Sequence, residues 1–368
     1  MEINYENIIE NDFEKPIYQG LQKKIIEFLH INNNCSFWDI VRHVGGSERR
    51  TIRLLKEMQK AGQISVQNDK FFVEGGQNFF SVCPTCNGKL CMCNQNLANK
   101  LEKFEQIYNQ KPPATFIFDQ RPINIQSTIN RVAYMLNRMD IRGKDVVLLG
   151  DDDLTGIAIA LTGLAKSVTV LDIDERLVDY VAQVSKQYNL GITTKVFDAT
   201  KPVPQDMKSC YDVLLCDPTP EPIPFSIFMN VAIEITRKNA IIYTSIYSSA
   251  MEFNYQMQQV MTDRHLHITD MVPNWTEYKS IYNLYRQSDI DTFADYGIDI
   301  KDGICFTETF IRTIKTNQTT IIPVNFKPED LFGKATKRVI KDAKNDVEIA
   351  DDQYLNKTLS KMRGEDND

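Results

Sequence analysis

The sequence predicts an α/β protein with a doubly wound parallel sheet, preceded by a smaller helical domain. Short apolar runs rich in Val, Ile and Leu alternate with helical segments over residues 99–331, a pattern typical of a parallel sheet covered by helices on both faces. A separate group of helical periodicities occupies the first part of the chain. With 368 residues, of which 42% are hydrophobic and 25% charged, the chain is long enough for two or three globular domains.

The sequence of residues 1–80 predicts a winged helix-turn-helix domain. The stretch "IYQGLQKKIIEFLHI" has the apolar spacing of a helix. A second helix begins at the N-cap Ser36, and a third, "SERRTIRLLKEMQK", begins at the N-cap Ser47 and ends at Gly62. Two short strands are expected on either side of Asn68–Asp69. Three helices and a two-stranded wing are the parts of this fold.

Two uses of this domain remain open. In a DNA-binding protein, Arg49, Arg50 and Arg53 of the third helix face the major groove. In a larger enzyme, the same domain serves packing or dimerisation. The formal net charge of −7 argues against general affinity for nucleic acid, which needs a basic surface. The sequence therefore favours packing, with no nucleic-acid partner.

Residues 81–98 form a predicted linker that contains four cysteines. They lie in the segment "CPTCNGKLCMC" as Cys83, Cys86, Cys91 and Cys93. Four thiolates complete a tetrahedral zinc site, so a structural zinc ion is one interpretation. The spacing after the first pair is tighter than the usual pairs of a zinc knuckle, and a reduced cysteine turn or a local disulfide are the alternatives.

Residues 99–331 carry the predicted sheet, and residues 332–368 are a charged, apolar-poor stretch typical of a flexible tail. Helices are expected near residues 125–139 and from Glu175 to Asn189. The strands are expected at "DVVLLG" (145–150), "SVTVLDID" (167–174), "TTKVFDAT" (193–200), "YDVLLCDP" (211–218) and "AIIYTSI" (240–246).

Acidic residues end each of the first four predicted strands. In an open parallel sheet, ligands bind outside the carboxyl ends of the strands, near the point where the strand order reverses. The first strand is followed by Gly150 and three successive aspartates, and the next three strands end in one candidate each. These residues are Asp151, Asp152, Asp153, Asp172, Asp198 and Asp217. A ligand-binding edge is therefore predicted.

These positions suit a nucleoside on a Rossmann-like sheet of the class I methyltransferase type. Asp172 is expected to accept hydrogen bonds from ribose hydroxyls, or else to cap the next helix. Asp198 either accepts the adenine amino group or closes a turn. Asp217 and Pro218 begin a proline-rich loop over the donor site, or a plain turn. The dinucleotide pattern Gly-x-Gly-x-x-Gly is missing, which argues against nicotinamide chemistry.

The row of aspartates predicts a cationic ligand. The carboxylate of S-adenosylmethionine would be repelled, since two like charges about 4 Å apart interact by about 4 kcal/mol at an effective dielectric constant near 20. Decarboxylated S-adenosylmethionine, which has a free aminopropyl ammonium, fits better. The alternative is that the row stabilises the N-terminus of the next helix, by about 0.3–1 kcal/mol per charge. The prediction requires that basic residues of the chain do not neutralise these carboxyl groups.

The chain resembles the branched-chain polyamine synthases, which are aminopropyltransferases of archaea and bacteria that make bis(aminopropyl)spermidine. The resemblance rests on "FDQ" (118–120) and on the block from "RVAYML" to "LDID", in which Gly150 to Asp153 match the Gly-Asp-Asp-Asp hallmark. It implies a winged-helix domain, a Cys-x-x-Cys segment and an Asp-Pro loop. A segment similar to "NWTEYKS" in the family implies substrate contacts by Glu277 and Tyr278, next to Asn274.

The resemblance implies transfer of an aminopropyl group from decarboxylated S-adenosylmethionine to a polyamine such as spermidine, without a catalytic metal. We expect Asp152 or Asp153 to take the proton of the attacking amine, and Asp153, Asp217, Glu277 and Tyr278 to align the polyamine. Two features depart from the family. Thr219 stands where a second proline is usual, and the cysteine segment has four cysteines instead of two.

The alternatives are an S-adenosylmethionine-dependent N-methyltransferase and a winged-helix DNA-binding regulator. The polar, acidic N-terminus is not a signal peptide, and no apolar run approaches the roughly 20 residues that span a bilayer. Cysteine usage does not resemble a secreted disulfide framework. We therefore expect a cytoplasmic enzyme without a membrane partner, and a homodimer by default.

Overall fold

The computed structural model describes most of the chain, which divides into two compact units. The described residues are 3–9, 14–31, 33–44, 47–76, 101–115, 118–248, 251–279, 287–300 and 303–331. The first unit comprises residues 1–91, 247–251 and 273–309, and the second comprises residues 92–246, 252–272 and 310–368. The four cysteines considered for zinc, and the charged tail after residue 331, lie outside the described residues.

Three helices and a small antiparallel sheet form the N-terminal part of the first unit. After a 3₁₀ turn at Tyr5–Asn7, the elements are α1 (Glu14–Ile31), β1 (Cys35–Ser36), α2 (Phe37–Val44), α3 (Glu48–Lys60), β2 (Ser65–Gln67) and β3 (Lys70–Phe72). The sheet has the order β1-β3-β2, and β3 pairs antiparallel with both neighbours. The predicted helices and ribbon are present, and β1 is an additional strand.

Local sequence signals account for these boundaries. The Ser36 hydroxyl accepts a hydrogen bond from the Asp39 amide at 3.2 Å, and the Asp39 carboxylate accepts one from the Ser36 amide at 3.0 Å. The Ser47 hydroxyl accepts from the amide of Arg50 at 3.3 Å. Asn68 and Asp69 have φ angles of 49° and 59°, as a two-residue hairpin turn between β2 and β3 requires. The predicted caps and turn are confirmed.

The arginines of α3 are paired within the first unit. Arg50 Nη2 lies 3.2 Å from the Glu14 carboxylate of α1. Arg53 makes two hydrogen bonds of 2.7 Å each to the carboxylate of Asp289, a residue of a later helix of the same unit. Arg49 Nε lies 3.9 Å from the Glu48 carboxylate, so all three arginines that the DNA-binding alternative requires lie beside acidic side chains.

The remaining elements follow in chain order. They are α4 (Phe104–Asn109), α5 (Ile125–Asn137), β4 (Asp145–Leu149), α6 (Thr155–Thr162), β5 (Ser167–Asp172), α7 (Glu175–Tyr188), β6 (Ile192–Val196), β7 (Tyr211–Cys216), α8 (Pro222–Ile235), β8 (Thr236–Tyr247), α9 (Met251–Asp263), β9 (Leu266–Lys279), α10 (Gln287–Asp295) and β10 (Ile304–Lys315). Short 3₁₀ turns occur at Gln205–Met207 and Pro328–Leu331.

The large sheet is mixed and has the strand order β6-β5-β4-β7-β8-β10-β9. The ladders β4–β5, β5–β6, β4–β7 and β7–β8 are parallel. The chain runs outward from β4 to β6 and then returns to place β7 on the other side of β4, so the order reverses between β4 and β7. The predicted α/β class is confirmed, whereas β9 and β10 were not foreseen.

Each unit has its own apolar core. In the first unit the core includes Leu29, Phe37, Ile52, Leu55 and Phe71, all fully or almost fully buried. In the second unit the core joins the sheet to its helices and includes Val147, Leu149, Leu214, Phe225 and Met229. Every residue of β4 is buried, which explains its continuous apolar sequence. None of the helices in the described ranges has the length and hydropathy needed to cross a bilayer.

Candidate active site at the carboxyl edge of the sheet

The loop after β4 is a tight turn that holds three aspartates. Gly150 has a φ of +76°, a left-handed conformation that favours glycine, and its amide donates to the Leu171 carbonyl of β5 at 2.8 Å. The Asp151 carbonyl accepts a hydrogen bond from the Leu154 amide at 2.9 Å, which closes the turn before α6. The three carboxyl groups are thereby held at the carboxyl edge of the sheet, beside the switch point between β4 and β7 where the strand order reverses.

Asp151 stabilises the loop and the start of α6. Its Oδ2 accepts a hydrogen bond from the Gly156 amide at 3.0 Å, and its own amide donates to Asp172 Oδ2 at 2.8 Å. The side chain is buried, and burial with the charges of Asp153 and Asp172 raises the pKa of Asp151 well above its ordinary value. The contacts of Asp151 therefore agree with the alternative in which the row of aspartates stabilises the N-terminus of the next helix.

Asp172 connects two strand-end loops. Its Oδ1 accepts a hydrogen bond from the Asp174 amide at 2.9 Å, while Oδ2 accepts from the Asp151 amide. Burial raises its pKa to about 6. The helix N-cap is Asp174 instead, whose carboxylate accepts from the Arg176 amide at 3.0 Å and from Gln120 Nε2 at 3.0 Å. The ribose role of Asp172 stays a prediction.

Asp152 is less buried than its two neighbours, and like Asp151 it has one buried carboxyl oxygen without a hydrogen-bond partner in the described part of the chain. The residue is half-buried, and this oxygen is its Oδ2. The carbonyl oxygen of Asp152 accepts a hydrogen bond from Lys111 Nζ, which also lies 4.6 Å from the ring centroid of Tyr108. Burial and the charge of Asp153 raise the pKa of Asp152 well above its ordinary value, and Lys111 opposes this shift. The role of Asp152 as the proton acceptor stays a prediction.

Asp153 and Asp217 are joined by a buried arginine that was missed from the sequence. Arg131 of α5 donates from Nη1 to Asp153 Oδ2 at 3.0 Å, and its Nη2 donates to Asp217 Oδ2. Burial and the charge of Asp217 raise the pKa of Asp153, and Arg131 opposes the rise. A signal was present in the sequence, because Arg131 lies on the same helical face as Thr128 and Met135, which are buried.

The edge stays acidic despite these two cations. In the described part of the chain, five carboxyl groups, those of Asp151, Asp152, Asp153, Asp172 and Asp217, compare with one guanidinium and one ammonium, from Arg131 and Lys111. The sequence-based condition that no basic side chain neutralises the row is met only in part. Arg131 pairs with Asp153, whereas the contact of Lys111 with Asp152 is to the backbone carbonyl.

The remaining donor-site candidates lie in the loops after β6 and β7. Asp198 Oδ1 accepts from the amide and the hydroxyl of Thr200 at 2.9 Å and 2.6 Å, so this carboxylate closes a turn. Pro218 is buried behind Asp217. The hydroxyl of Thr219, the residue that departs from the family pattern, donates to the Asp119 carboxylate. This contact connects the loop to the "FDQ" segment.

Glu277 and Tyr278, the predicted polyamine contacts, belong to the first unit. Glu277 is 4% exposed, and its Oε1 lies 3.5 Å from Arg42 Nε. The Tyr278 hydroxyl donates to Glu308 at 3.0 Å, and the Tyr278 ring stacks on Phe306 with centroids 4.5 Å apart. Glu308, which is buried, had not been singled out from the sequence. Aromatic rings beside carboxylates suit alkylammonium groups, and the roles of Glu277 and Tyr278 remain predictions.

The described residues contain no group of three or more His, Cys, Asp or Glu side chains arranged to hold a metal ion. The aspartates at the sheet edge point to the loop backbone and to Arg131 instead of converging on one point. The zinc interpretation concerns Cys83, Cys86, Cys91 and Cys93, which are outside the described residues, and it stays a prediction.

Comparison with protein families and curated sequences identifies similar proteins. A family model described as the branched-chain polyamine synthase A C-terminal domain matches residues 99–292. The N(4)-bis(aminopropyl)spermidine synthase of Methanocaldococcus jannaschii is 25% identical over 362 residues, which cover 93% of this chain and 94% of the relative. The synthase of the same name from Thermus thermophilus is 36% identical over 149 residues, 40% of this chain and 43% of the relative.

A solved structure has a similar fold. It is the branched-chain polyamine synthase of Thermus thermophilus in complex with N4-aminopropylspermidine and 5′-methylthioadenosine. The TM-score is 0.65 at 20% sequence identity, and the match covers 88% of this chain and 97% of the other. At this level of identity the likeness concerns the fold, and the similarity covers nearly the whole of both chains.

Proposed function

The chain belongs to the branched-chain polyamine synthase family, and from this we propose that it transfers the aminopropyl group of decarboxylated S-adenosylmethionine to a polyamine such as spermidine. Three relatives carry the name N(4)-bis(aminopropyl)spermidine synthase. The solved relative binds N4-aminopropylspermidine and 5′-methylthioadenosine, the products expected of one such transfer. The enzyme is accordingly a transferase of polyamine biosynthesis.

One observation carries the proposal for this chain. The buried Oδ2 of Asp152 accepts no hydrogen bond from the described residues, beside an edge where carboxyl groups outnumber cations. A buried carboxylate without a hydrogen-bond donor is unfavourable unless a ligand supplies one. An alkylammonium group supplies both a donor and a positive charge. The carboxylate of S-adenosylmethionine would instead add a negative charge to this edge, which favours the decarboxylated donor.

The proposed reaction is an in-line displacement. The lone pair of the acceptor amine attacks the aminopropyl carbon bonded to the sulfonium, forming a C–N bond. The C–S bond breaks, its electron pair stays on sulfur, and neutral methylthioadenosine leaves. The proton of the amine passes to Asp152. Asp153, Asp217, Glu277 and Tyr278 align the polyamine, and the displacement as written needs no metal ion.

The nucleoside part of the donor is proposed to bind in the adjacent loops. Gly150 allows close approach of the backbone, and Asp151 fixes the loop. Asp172 accepts hydrogen bonds from the ribose, and Asp198 with Pro218 contacts the base. The Asp172 carboxylate accepts backbone hydrogen bonds from the amides of Asp151, Asp174 and Ile173, and a carboxylate has about four lone-pair sites, so one remains for a hydroxyl group.

The first 80 residues are proposed to be a winged-helix domain used for packing, followed by a linker over 81–98, a catalytic domain over 99–331 and a flexible tail. The pairing of Arg50 with Glu14, and of Arg53 with Asp289, supports packing over DNA binding. The proposal includes a homodimer in the cytoplasm and a structural zinc ion on the four linker cysteines.

Mass spectrometry of the products tests this function. The purified chain is incubated with spermidine and decarboxylated S-adenosylmethionine, and we expect spermidine to gain one or two aminopropyl groups with one methylthioadenosine per transfer. A parallel reaction contains S-adenosylmethionine as the donor. A methylated amine with S-adenosylhomocysteine in that reaction, and no aminopropyl product in the first, would establish the methyltransferase alternative.

A further inference from the structure

Arg131 is a charged residue in the buried part of the acidic site. It is 1% exposed, although it lies on α5 among apolar neighbours such as Val132 and Met135. A buried guanidinium loses its hydration, so it is stable only where acceptors surround it. Arg131 has such acceptors in Asp153, Asp217 and the Ser245 hydroxyl, which lies 3.4 Å from Nη2.

The two carboxylates that Arg131 contacts come from opposite sides of the switch point. Asp153 follows β4, and Asp217 follows β7, the neighbouring strand across the point where the order reverses. Each uses its Oδ2 toward a different nitrogen of the same guanidinium. The planar fork of arginine has the geometry for two carboxylates at once, which a lysine ammonium lacks. The Phe310 ring, 5.8 Å from the guanidinium carbon, covers it.

We propose that Arg131 is a positioning residue that fixes Asp153 and Asp217 on either side of the switch point. This inference rests on the proposed aminopropyl transfer. It assigns different tasks to neighbouring aspartates. Asp153 and Asp217 orient the ammonium groups of the polyamine, and Asp152 takes the proton.

The electrostatics of the site agree with this division. Burial raises the pKa of Asp153, and the neighbouring Arg131 guanidinium opposes this rise. Asp152 has a pKa raised well above its ordinary value, and its Oδ2 is free of hydrogen bonds from the described residues. A base with a raised pKa is better matched to a proton from an amine at neutral pH.

The test compares pH profiles of kcat/KM for the parent, Arg131→Met and Arg131→Lys. Asp153 binds an ammonium group of the polyamine only when it is ionised. Removal of the guanidinium raises the pKa of Asp153, so the acidic side of the Arg131→Met profile should move up by about one pH unit or more. Misplacement of the carboxylates should lower kcat by about 100-fold. Arg131→Lys keeps the charge but cannot hold both carboxylates, so the acidic side of its pH profile should move less than that of Arg131→Met. This variant provides the test if Arg131→Met does not fold.

The matched control is Arg312→Lys. Arg312 is a buried arginine of the same unit that binds Asp140 through two nitrogens, at 2.7 Å and 3.0 Å. This change should lower stability without moving the acidic side of the pH profile. An acidic side that moves equally in the Arg131 and Arg312 variants, or in neither, overturns the inference while leaving the proposed function intact. A parent that transfers no aminopropyl group overturns the proposed function.

A second readout does not depend on turnover. The unfolding free energy of the parent and of Arg131→Met is measured in urea at pH 5 and pH 8. In the variant the native pKa of Asp153 rises further above the unfolded value, so its ionisation costs more stability as the pH rises. The loss relative to the parent should therefore be larger at pH 8 than at pH 5. An equal loss at both pH values means that Arg131 acts through packing alone, and overturns the inference.

Discussion

Three successive aspartates have three different surroundings in this protein. Asp151 hydrogen-bonds the start of α6, Asp153 pairs with Arg131, and Asp152 keeps a buried oxygen without a partner in the described part of the chain. The difference arises because a tight turn points successive side chains in different directions. A row that reads as uniform in the sequence therefore has three carboxyl groups in different surroundings, of which that of Asp152 is the proposed base.

Replacing Asp152 by Asn should separate activity from stability. Loss of the base should lower kcat by about 100-fold to 10,000-fold. The native pKa of Asp152 is raised, so its ionisation costs stability as the pH rises above about 4, the unfolded value. The amide removes this cost, so Asp152→Asn should be more stable than the parent at pH 8, and the difference should be smaller at pH 5.

Turnover and urea unfolding at the two pH values check this prediction. Asp179→Asn is the control, because Asp179 is exposed on α7, and it should change neither quantity. Full turnover in Asp152→Asn would remove this residue as the base and leave Asp153 as the remaining candidate.

At the scale of elements, the loop between β4 and α6 is the most constrained part of the site. Gly150 and Gly156 do not form a dinucleotide-binding pattern in the sequence, and the structure gives each glycine a different reason. Gly150 needs its left-handed φ, whereas Gly156 lies against β5. A Cβ built on Gly156 would come within 2.7 Å of Val170 Cγ2 and 2.8 Å of Asp151 Oδ2.

Gly156→Ala should therefore destabilise the second unit and disturb Asp151. The added methyl overpacks a tight contact, which costs about 1–3 kcal/mol in the free energy of unfolding. Gly20→Ala in α1 is the control, since a Cβ added to Gly20 would have no atom within 4 Å, and alanine there should stabilise by about 0.4–1 kcal/mol. Urea denaturation measures both, and similar effects in the two variants would contradict this account of the loop.

Element boundaries were largely predictable because they depend on local chemistry. Ser36 and Ser47 cap their helices, and the strands predicted at 145–150, 167–174 and 211–218 occur with nearly the expected limits. The strands β9 and β10 were missed. Their sequences mix polar and aromatic residues, as in "TDMVPNWTEYK" of β9, and lack the apolar runs used to find the inner strands.

At the scale of the whole molecule, charge and ligand binding are coupled. The chain has a net charge of −7, and the sheet edge adds a local excess of carboxyl groups. Cation binding is favoured when these groups are ionised. Since the pKa of Asp172 is about 6 and that of Asp152 is also raised, acidification should protonate part of the edge within the ordinary working range of an enzyme.

Spermidine affinity should fall with acid and with salt. Below about pH 6 the edge loses negative charge, and we expect binding to be about tenfold weaker at pH 5 than at pH 7. Added salt should weaken it at pH 7 by screening. Isothermal titration of spermidine checks both, with neutral methylthioadenosine as the control ligand, whose affinity should change little with salt. Spermidine binding that is indifferent to both variables would contradict an electrostatic site.

The sequence by itself determined the α/β class, the ends of the inner strands and the acidic character of the binding edge. These features follow from the apolar pattern and from the residue after each strand. They depend on local sequence and not on contacts between residues far apart in the chain. Only the tertiary structure decided which aspartates are paired. Asp153 and Asp217 lie far apart in sequence, and Arg131 contacts both from α5, which packs against α6, the helix that follows the aspartate loop. The roles of individual carboxyl groups depend on neighbours that the fold supplies.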